Sequence, residues 1–184
     1  MLVVETMQVV TTLCALAAAT GALLLIVARI LAPHVPLAAR WGAAVSSARP
    51  VLTLVVAGGS TVGSLYFSEE AGYIPCRLCW FQRIAMYPIA LVALIALIRR
   101  DSGARWYTVP MAAIGAVIST WHYLVEWNPE WEGDTCELFG PACSVPWFRT
   151  FGFSTLAFMA LCGFVAIIVF NTVTFPSPDE QEQP

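Results

Sequence analysis

Five long apolar segments constrain this chain more than any other feature of its sequence. A transmembrane helix needs about 20 predominantly apolar residues, whereas a soluble domain carries about 25% charged residues. Here only 11% of the 184 residues are charged. We therefore predict an all-α integral membrane protein that crosses the lipid bilayer five times, with spans at residues 7–31, 51–67, 79–98, 107–125 and 151–173.

Two of these segments need an interpretation of their own. The first is preceded by Glu5 and no arginine, and its apolar run is longer than the core of a signal peptide, so we predict a retained helix. The second is the least hydropathic. Its Gly59 and Gly63 have the spacing that lets membrane helices approach closely, which predicts an interior packing helix.

The basic residues predict the orientation of the spans. All nine are arginine, and the second and fourth connections hold only Arg77 and Arg149. By the positive-inside rule the first and third connections lie in the cytoplasm, so the N-terminus is outside and the C-terminus is cytoplasmic. A net charge of −3 gives no reason to expect nucleic acid as a partner. The arginines near the first and third connections are Arg29, Arg40, Arg49, Arg99, Arg100 and Arg105.

Four of the six cysteines fall in loops, and the predicted orientation places all four on the outer face of the membrane. They are Cys76, Cys79, Cys136 and Cys143. Thiols outside the bacterial cytoplasm face an oxidising compartment, which favours redox chemistry. The other two, Cys14 and Cys162, fall within spans. There a thiol behaves as a small apolar side chain, and we expect alanine substitutions to be silent.

The first cysteine pair lies where the third span enters the membrane. The unpaired N–H groups and the dipole at a helix N-terminus stabilise a thiolate, and the Cys-X-X-Cys spacing of Cys76 and Cys79 permits a reducible disulfide. Arg83 lies one helical turn beyond Cys79. A charge inside a span usually marks a functional site, although Arg83 could also extend toward the lipid headgroups. The sequence also permits a zinc site built from the four loop cysteines, but the six-residue spacing of Cys136 and Cys143 is unusual for one, and we predict no bound metal.

The second outer loop, residues 126–147, contains the other cysteine pair. Its tryptophans suit a segment that rests on the headgroup layer. We interpret its acidic residues, which include Glu126 and Glu132, as ordinary solvated charge. A mobile pair in this loop could carry oxidation between a docked protein and the fixed pair at the helix start.

Two motifs resemble the DsbB/BdbC family of disulfide bond formation proteins. Residues 75–88 read PCRLCWFQRIAMYP, which looks like the family signature, and residues 151–160 read FGFSTLAFMA, which is similar to its last helix. The resemblance implies a four-helix bundle that makes disulfides and passes electrons to a membrane quinone, either ubiquinone or menaquinone. It implies that Cys76 and Cys79 are coupled to the quinone, with Arg83 and His122 beside the quinone ring. It further implies that Cys136 and Cys143 oxidise a thioredoxin-fold partner similar to DsbA or BdbD.

The expected organisation follows from these observations. Residues 1–45 form an additional N-terminal helix with a cytoplasmic connector, which the family does not have. Residues 46–175 form the four-helix bundle with two outer loops, and residues 176–184 form a disordered cytoplasmic tail. The expected location is the bacterial cytoplasmic membrane.

Other functions remain compatible with the same residues. A vitamin-K-epoxide-reductase-like quinone reductase also uses two cysteine pairs, but its loop pair precedes its Cys-X-X-Cys, which is the reverse of the order here. A membrane scaffold whose disulfides are permanent is a non-catalytic alternative. Resistance of the disulfides to mild reductant would distinguish the scaffold, and metal analysis would detect the zinc protein.

Overall fold

The computed structural model describes residues 2–133 and 140–175. Cys136 and the tail predicted to be disordered, residues 176–184, lie outside the described residues. Within the described residues the chain is all α-helical, as predicted. The helices are α1 (Leu2–Leu31), α2 (Pro36–Ser47), α3 (Arg49–Leu65), α4 (Arg77–Arg99), α5 (Arg105–Trp127) and α6 (Leu156–Thr172).

Five of these helices account for the five predicted spans. The helices α1, α4 and α5, and α3 with the π-helical turn Tyr66–Glu70 that continues it, are long and apolar enough to cross a membrane. The fifth, α6, is a shorter apolar helix of 17 residues. The chain is therefore a multi-pass membrane protein.

The last helix begins later than the predicted boundary at residue 151. Phe151 and Gly152 adopt positive φ angles of 56° and 80°, which end any helix at that point. Thr155 then caps the N-terminus of α6, where its hydroxyl accepts a hydrogen bond from the N–H of Phe158 at 3.2 Å. A turn and a cap therefore occupy residues that are apolar enough to have continued the helix.

The core of the bundle is centred on α6, which packs against α1, α3 and α5. Phe164 and Ile167 are fully buried and meet Ile89 of α4 and Ala57 of α3. Gly115 of α5 is required for this packing, because a Cβ atom there would lie 2.3 Å from the ring of Phe164. The bundle therefore depends on small residues facing one central aromatic ring.

The predicted close packing through Gly59 does not occur. A Cβ atom at Gly59 would meet no atom within 4 Å, and one at Gly63 would meet only Thr11, at 3.6 Å. Both glycines instead line a cavity. The small-residue spacing in α3 therefore leaves space between helices rather than bringing two backbones together.

Successive helices of the bundle run in opposite directions. The start of α4, the end of α5 and the start of α6 therefore lie at the same end of the bundle. The cysteine pair lies at this end, which we call the cysteine end. The opposite end carries the first residues of α3 and α5, Arg49 and Arg105, and the last residue of α4, Arg99. Arginine is therefore concentrated away from the cysteines, as the positive-inside pattern requires of the two ends of a membrane bundle.

Candidate active site

The first two cysteines lie at the N-terminus of α4. Cys76 is the N-cap residue, and its Sγ atom accepts a hydrogen bond from the N–H of Cys79 at 3.3 Å. The two Sγ atoms are 2.9 Å apart, with Cys76 as the donor. Cys76 is buried, whereas Cys79 is partly exposed. The local helix geometry thus brings the two sulfur atoms close enough for a disulfide to form with little movement.

Cys143 reaches this pair from the second outer loop. It is only 2% exposed and packs with Cys76 and Val125, and its side chain is hydrogen-bonded to Cys76. The carboxylate of Glu132 accepts hydrogen bonds from the backbone N–H groups of Cys143 and Ser144. The fold therefore brings three of the four candidate cysteines together.

The protonation of Cys76 depends on its two sulfur neighbours. The hydrogen bond with Cys143 favours the thiolate, but the interaction with Cys79 and the burial of Cys76 oppose it more strongly together. The pKa of Cys76 is consequently raised to about 12. In the reduced pair, Cys76 is therefore the thiol that donates a hydrogen bond, and Cys79 is the acceptor.

His122, near the end of α5, lies against Cys76. Its Nε2 atom is 3.6 Å from the Sγ atom of Cys76 and 3.9 Å from a carboxylate oxygen of Glu126. Glu126 in turn accepts a 2.6 Å hydrogen bond from the hydroxyl of Thr155. The side chains of all four residues are buried. A chain of polar groups thus leads from the sulfur of Cys76 into the protein interior.

On its other side the cysteine pair borders a cavity of about 380 Å³ between α1, α3, α4 and α6. This volume lies within the range of about 300–1,000 Å³ typical of small-molecule sites. Its wall is mostly apolar, and Cys79, Gln82 and Arg83 contribute polar groups to it. His122 is not among the described residues that line the cavity.

Arg83 is fixed in the cavity wall by two contacts. Its guanidinium donates a hydrogen bond to the backbone carbonyl of Ser64 at 3.1 Å and lies 5.4 Å from the centre of the Trp80 ring. The neighbouring Gln82 donates a 3.0 Å hydrogen bond to the hydroxyl of Ser119. Arg83 therefore belongs to the bundle interior and does not extend toward the headgroups, the alternative that the sequence had allowed.

Aromatic rings cover the cavity at the cysteine end. The ring of Tyr73 stacks on Trp147 with centroids 4.8 Å apart and on Phe67 with centroids 5.7 Å apart. The indole N–H of Trp147 donates a hydrogen bond to the carbonyl of Ile74 at 3.3 Å. All three rings line the cavity, and we call them the aromatic stack.

The side chains of Cys76, Cys79 and His122 could also ligate a metal ion, since their ligand atoms lie within 4.8 Å of one another. However, two thiolates on one tetrahedral zinc ion would be about 3.7 Å apart, given Zn–S bonds of about 2.3 Å. The sulfur atoms of Cys76 and Cys79 are 2.9 Å apart. This separation favours thiol exchange over metal binding.

The structure also identifies site residues that the sequence did not single out. The interpretation of the loop acids as solvated charge is wrong for Glu126, which is only 4% exposed. It is also wrong for Glu132, which holds the backbone of Cys143. Gln82 carried a usable signal, because it is a polar residue inside an apolar span next to Arg83. Cys14, expected to be inert, lines the cavity.

Comparisons with known proteins point to one family. The family model described as disulfide bond formation protein DsbB matches residues 46–174. Disulfide bond formation protein C of Bacillus subtilis (strain 168) is 47% identical over 116 residues, which cover 63% of this chain and 84% of the relative. A probable disulfide formation protein C 1 of Bacillus anthracis is 41% identical over 110 residues, 60% of this chain and 79% of the relative. No solved structure gives a significant match.

Proposed function

Because the chain belongs to the DsbB family of disulfide bond formation proteins, we propose that it oxidises the dithiol of an extracytoplasmic thioredoxin-fold partner and reduces a membrane quinone. The observation that carries this proposal is the position of Cys79. This residue lies 2.9 Å from Cys76 on one side and lines the apolar cavity on the other. One cysteine pair can thus exchange with a protein thiol and also meet an acceptor dissolved in lipid.

The cavity has the chemistry that a quinone requires. Its wall is mostly apolar, and the guanidinium of Arg83 and the amide of Gln82 lie within about one helical turn of Cys79, where they could hold a ring oxygen. A quinone bound there accepts two electrons and two protons and leaves as the quinol. Arg83 also places a positive charge one helical turn from Cys79, which favours the thiolate from which the electrons are withdrawn.

The electrons reach this pair by thiol–disulfide exchange. A thiolate of the partner attacks Cys136 and breaks its bond to Cys143, and the second partner thiol then releases the oxidised partner. The Cys143 thiolate attacks Cys76, and Cys79 leaves as a thiolate. Cys136 then attacks Cys143, which restores the loop disulfide and frees Cys76. Each cycle moves two electrons and two protons from the partner dithiol to the quinone.

The contact between Cys143 and Cys76 supports the central exchange step. Both residues are buried and hydrogen-bonded to each other. The two N–H groups held by Glu132 fix the backbone on which the Cys143 sulfur is carried. The loop therefore presents Cys143 to the one sulfur that it must attack.

We further propose that His122 acts on the proton of Cys76. When the pair of Cys76 and Cys79 forms its disulfide again, the thiol proton of Cys76 has to leave a buried site. The Nε2 atom of His122 is 3.6 Å from that sulfur, and Glu126 lies behind it. Contact of His122 with the acceptor, which the resemblance implies, stays a prediction.

The proposed setting is the bacterial cytoplasmic membrane with the cysteine end outside. Its support is the distribution of arginine, since the positive-inside rule associates the arginine-rich end of a membrane bundle with the cytoplasm. In this arrangement residues 46–175 form the catalytic bundle, and residues 1–45 add a helix and its cytoplasmic connector.

Quinone reduction by the purified protein tests the proposal. The protein is mixed with excess reduced partner and quinone, and quinol formation is followed. We expect Cys79→Ala and Cys136→Ala to abolish turnover, and Cys162→Ala, the control, to keep it. Wild-type turnover in either of the first two variants would overturn the scheme.

The same preparation separates the alternatives. Permanent structural disulfides would resist mild reductant in the folded protein, whereas catalytic ones would be reduced and then reoxidised by quinone. Zinc that copurifies in a one-to-one ratio with the folded protein would favour the metal site. The order of the two cysteine pairs and the family match favour the DsbB-type reaction over the vitamin-K-epoxide-reductase type.

A further inference from the structure

We propose that α1 is the wall that closes the acceptor cavity toward the lipid, and that its small residues set the size of the quinone ring that can enter. This inference rests on the proposed quinone reaction, but it assigns a role to a helix that lies outside the family match at residues 46–174.

One face of α1 borders the cavity between Thr11 and Ala18. Thr11, Cys14, Ala15 and Ala18 all line it, and this spacing places them on a single helical face. Further along the same face, Leu25 is fully buried and packs in a cluster with residues of α6. The cavity therefore lies beside the stretch from Thr11 to Ala18, and it ends where Ala22 and Leu25 pack against α6.

The packing between the helices explains why α1 is needed to close the cavity. It packs along α6 and α2, whereas α3 packs along α4 and α6. Helices α1 and α3 do not pack closely along each other, and the cavity occupies the space between them. Gly59 and Gly63 of α3 face this space. Without α1, this side of the cavity would be open to lipid.

Two polar contacts hold α1 in this position at the cysteine end. Thr12 is fully buried and shares a 3.1 Å hydrogen bond with the hydroxyl of Ser154. Gln8 donates a 2.9 Å hydrogen bond to the hydroxyl of Tyr73 in the aromatic stack. The added helix is therefore joined both to the start of α6 and to the rings that cover the cavity.

The first experiment fills the cavity from α1. Ala18→Trp should raise the KM for a short-tailed quinone by about tenfold or more, which corresponds to a loss of about 1.4 kcal/mol in binding. The single-turnover rate at which the oxidised protein oxidises its partner dithiol should stay unchanged. The matched control is Ala17→Trp, because Ala17 is exposed on another face of the same helix. Equal KM values in the two variants would overturn the inference.

The second experiment uses the unmodified chain, so it does not depend on a variant that folds. Cys14 is a natural probe of the wall because it is exposed and lines the cavity. In the oxidised protein, a lipid-soluble maleimide should label Cys14, and saturating quinone should slow this labelling several-fold, as read by peptide mass spectrometry. Cys162, which is buried, serves as the reference thiol.

The outcomes distinguish the two proposals. If the protein reduces no quinone, the proposed function fails. If it reduces quinone but quinone leaves the labelling of Cys14 unchanged, the proposed function stands and α1 is not the wall of the acceptor site.

Discussion

The Nε2 atom of His122 lies 3.6 Å from the Sγ atom of Cys76, and His122 is absent from the described residues that line the cavity beside Cys79. Helix α5 thus places its histidine beside Cys76, whereas Cys79 and Arg83 of α4 line the cavity. The two sulfur atoms of the pair therefore have different surroundings.

His122→Ala should slow the re-formation of the disulfide between Cys76 and Cys79, the step in which the thiol proton of Cys76 has to leave. Loss of a positioned proton acceptor typically costs about 100-fold or more, and the loss should shrink as pH rises, because hydroxide replaces the missing base. Rapid-mixing measurements of quinone reduction by the pre-reduced protein at saturating quinone, from pH 6 to 9 and with wild type as the reference, would show this pattern. A raised quinone KM with a normal rate at saturating quinone would instead indicate contact between His122 and the acceptor.

Glu132→Gln should weaken the hydrogen bonds that hold the backbone of Cys143 in place. The carboxylate accepts two backbone hydrogen bonds, and a hydrogen bond to a charged group contributes about 1.5–3 kcal/mol. We expect partner oxidation to slow about tenfold or more while the quinone KM stays constant. Glu130→Gln is the matched control, since Glu130 is an exposed acid of the same loop. Equal rates in the two variants would contradict a positioning role for Glu132.

Arg83→Met should weaken binding of the acceptor. The variant loses a guanidinium fixed by the carbonyl of Ser64 in the cavity wall. One lost charged hydrogen bond predicts an increase in the quinone KM of about tenfold or more. Arg105→Met, at the opposite end of the bundle, should keep the wild-type KM. An unchanged KM in Arg83→Met would remove Arg83 from the acceptor site.

Thr12→Val should loosen α1 from the bundle. Hydrogen bonds between membrane helices contribute about 0.6 kcal/mol on average and up to about 1.7 kcal/mol, so a small fall in the free energy of unfolding is expected. A double-mutant cycle with Ser154→Ala in detergent micelles would isolate the coupling of this pair, whose hydroxyls are 3.1 Å apart. A coupling energy of zero would show that apolar packing alone holds α1.

Reactivity of the reduced protein should report the raised pKa of Cys76. Its pKa lies at about 12 instead of 9.0, so folding favours the thiol form. The raised pKa therefore adds to the free energy of unfolding below pH 9, and this contribution is lost as the pH rises through 12. The alkylation rate of Cys76, followed by peptide mass spectrometry, should keep rising up to about pH 12 in the folded protein. In the unfolded protein the alkylation rate should level off near pH 9. A plateau near pH 9 in the folded protein as well would contradict the raised pKa of Cys76.

Much of this protein could be predicted from its sequence. The apolar segments and scarce charges predicted the all-α membrane fold, because a helix that crosses a bilayer needs about 20 predominantly apolar residues. The spacing of Cys76, Cys79 and Arg83 predicted a cysteine pair at a helix start with a cation one turn away, and the redox role of the pair stays a prediction. These features are local along the chain, so the regular geometry of a helix is enough to place them.

The remaining features depend on contacts between residues distant in sequence. No local pattern indicates that His122 meets Cys76, that Glu132 holds Cys143, or that Gly59 faces a cavity. Periodicity identifies which face of a helix is apolar, but it does not identify the neighbour against which that face packs. The position of α1 beside the cavity was decided in the same way, by where small side chains leave space when five helices are packed together.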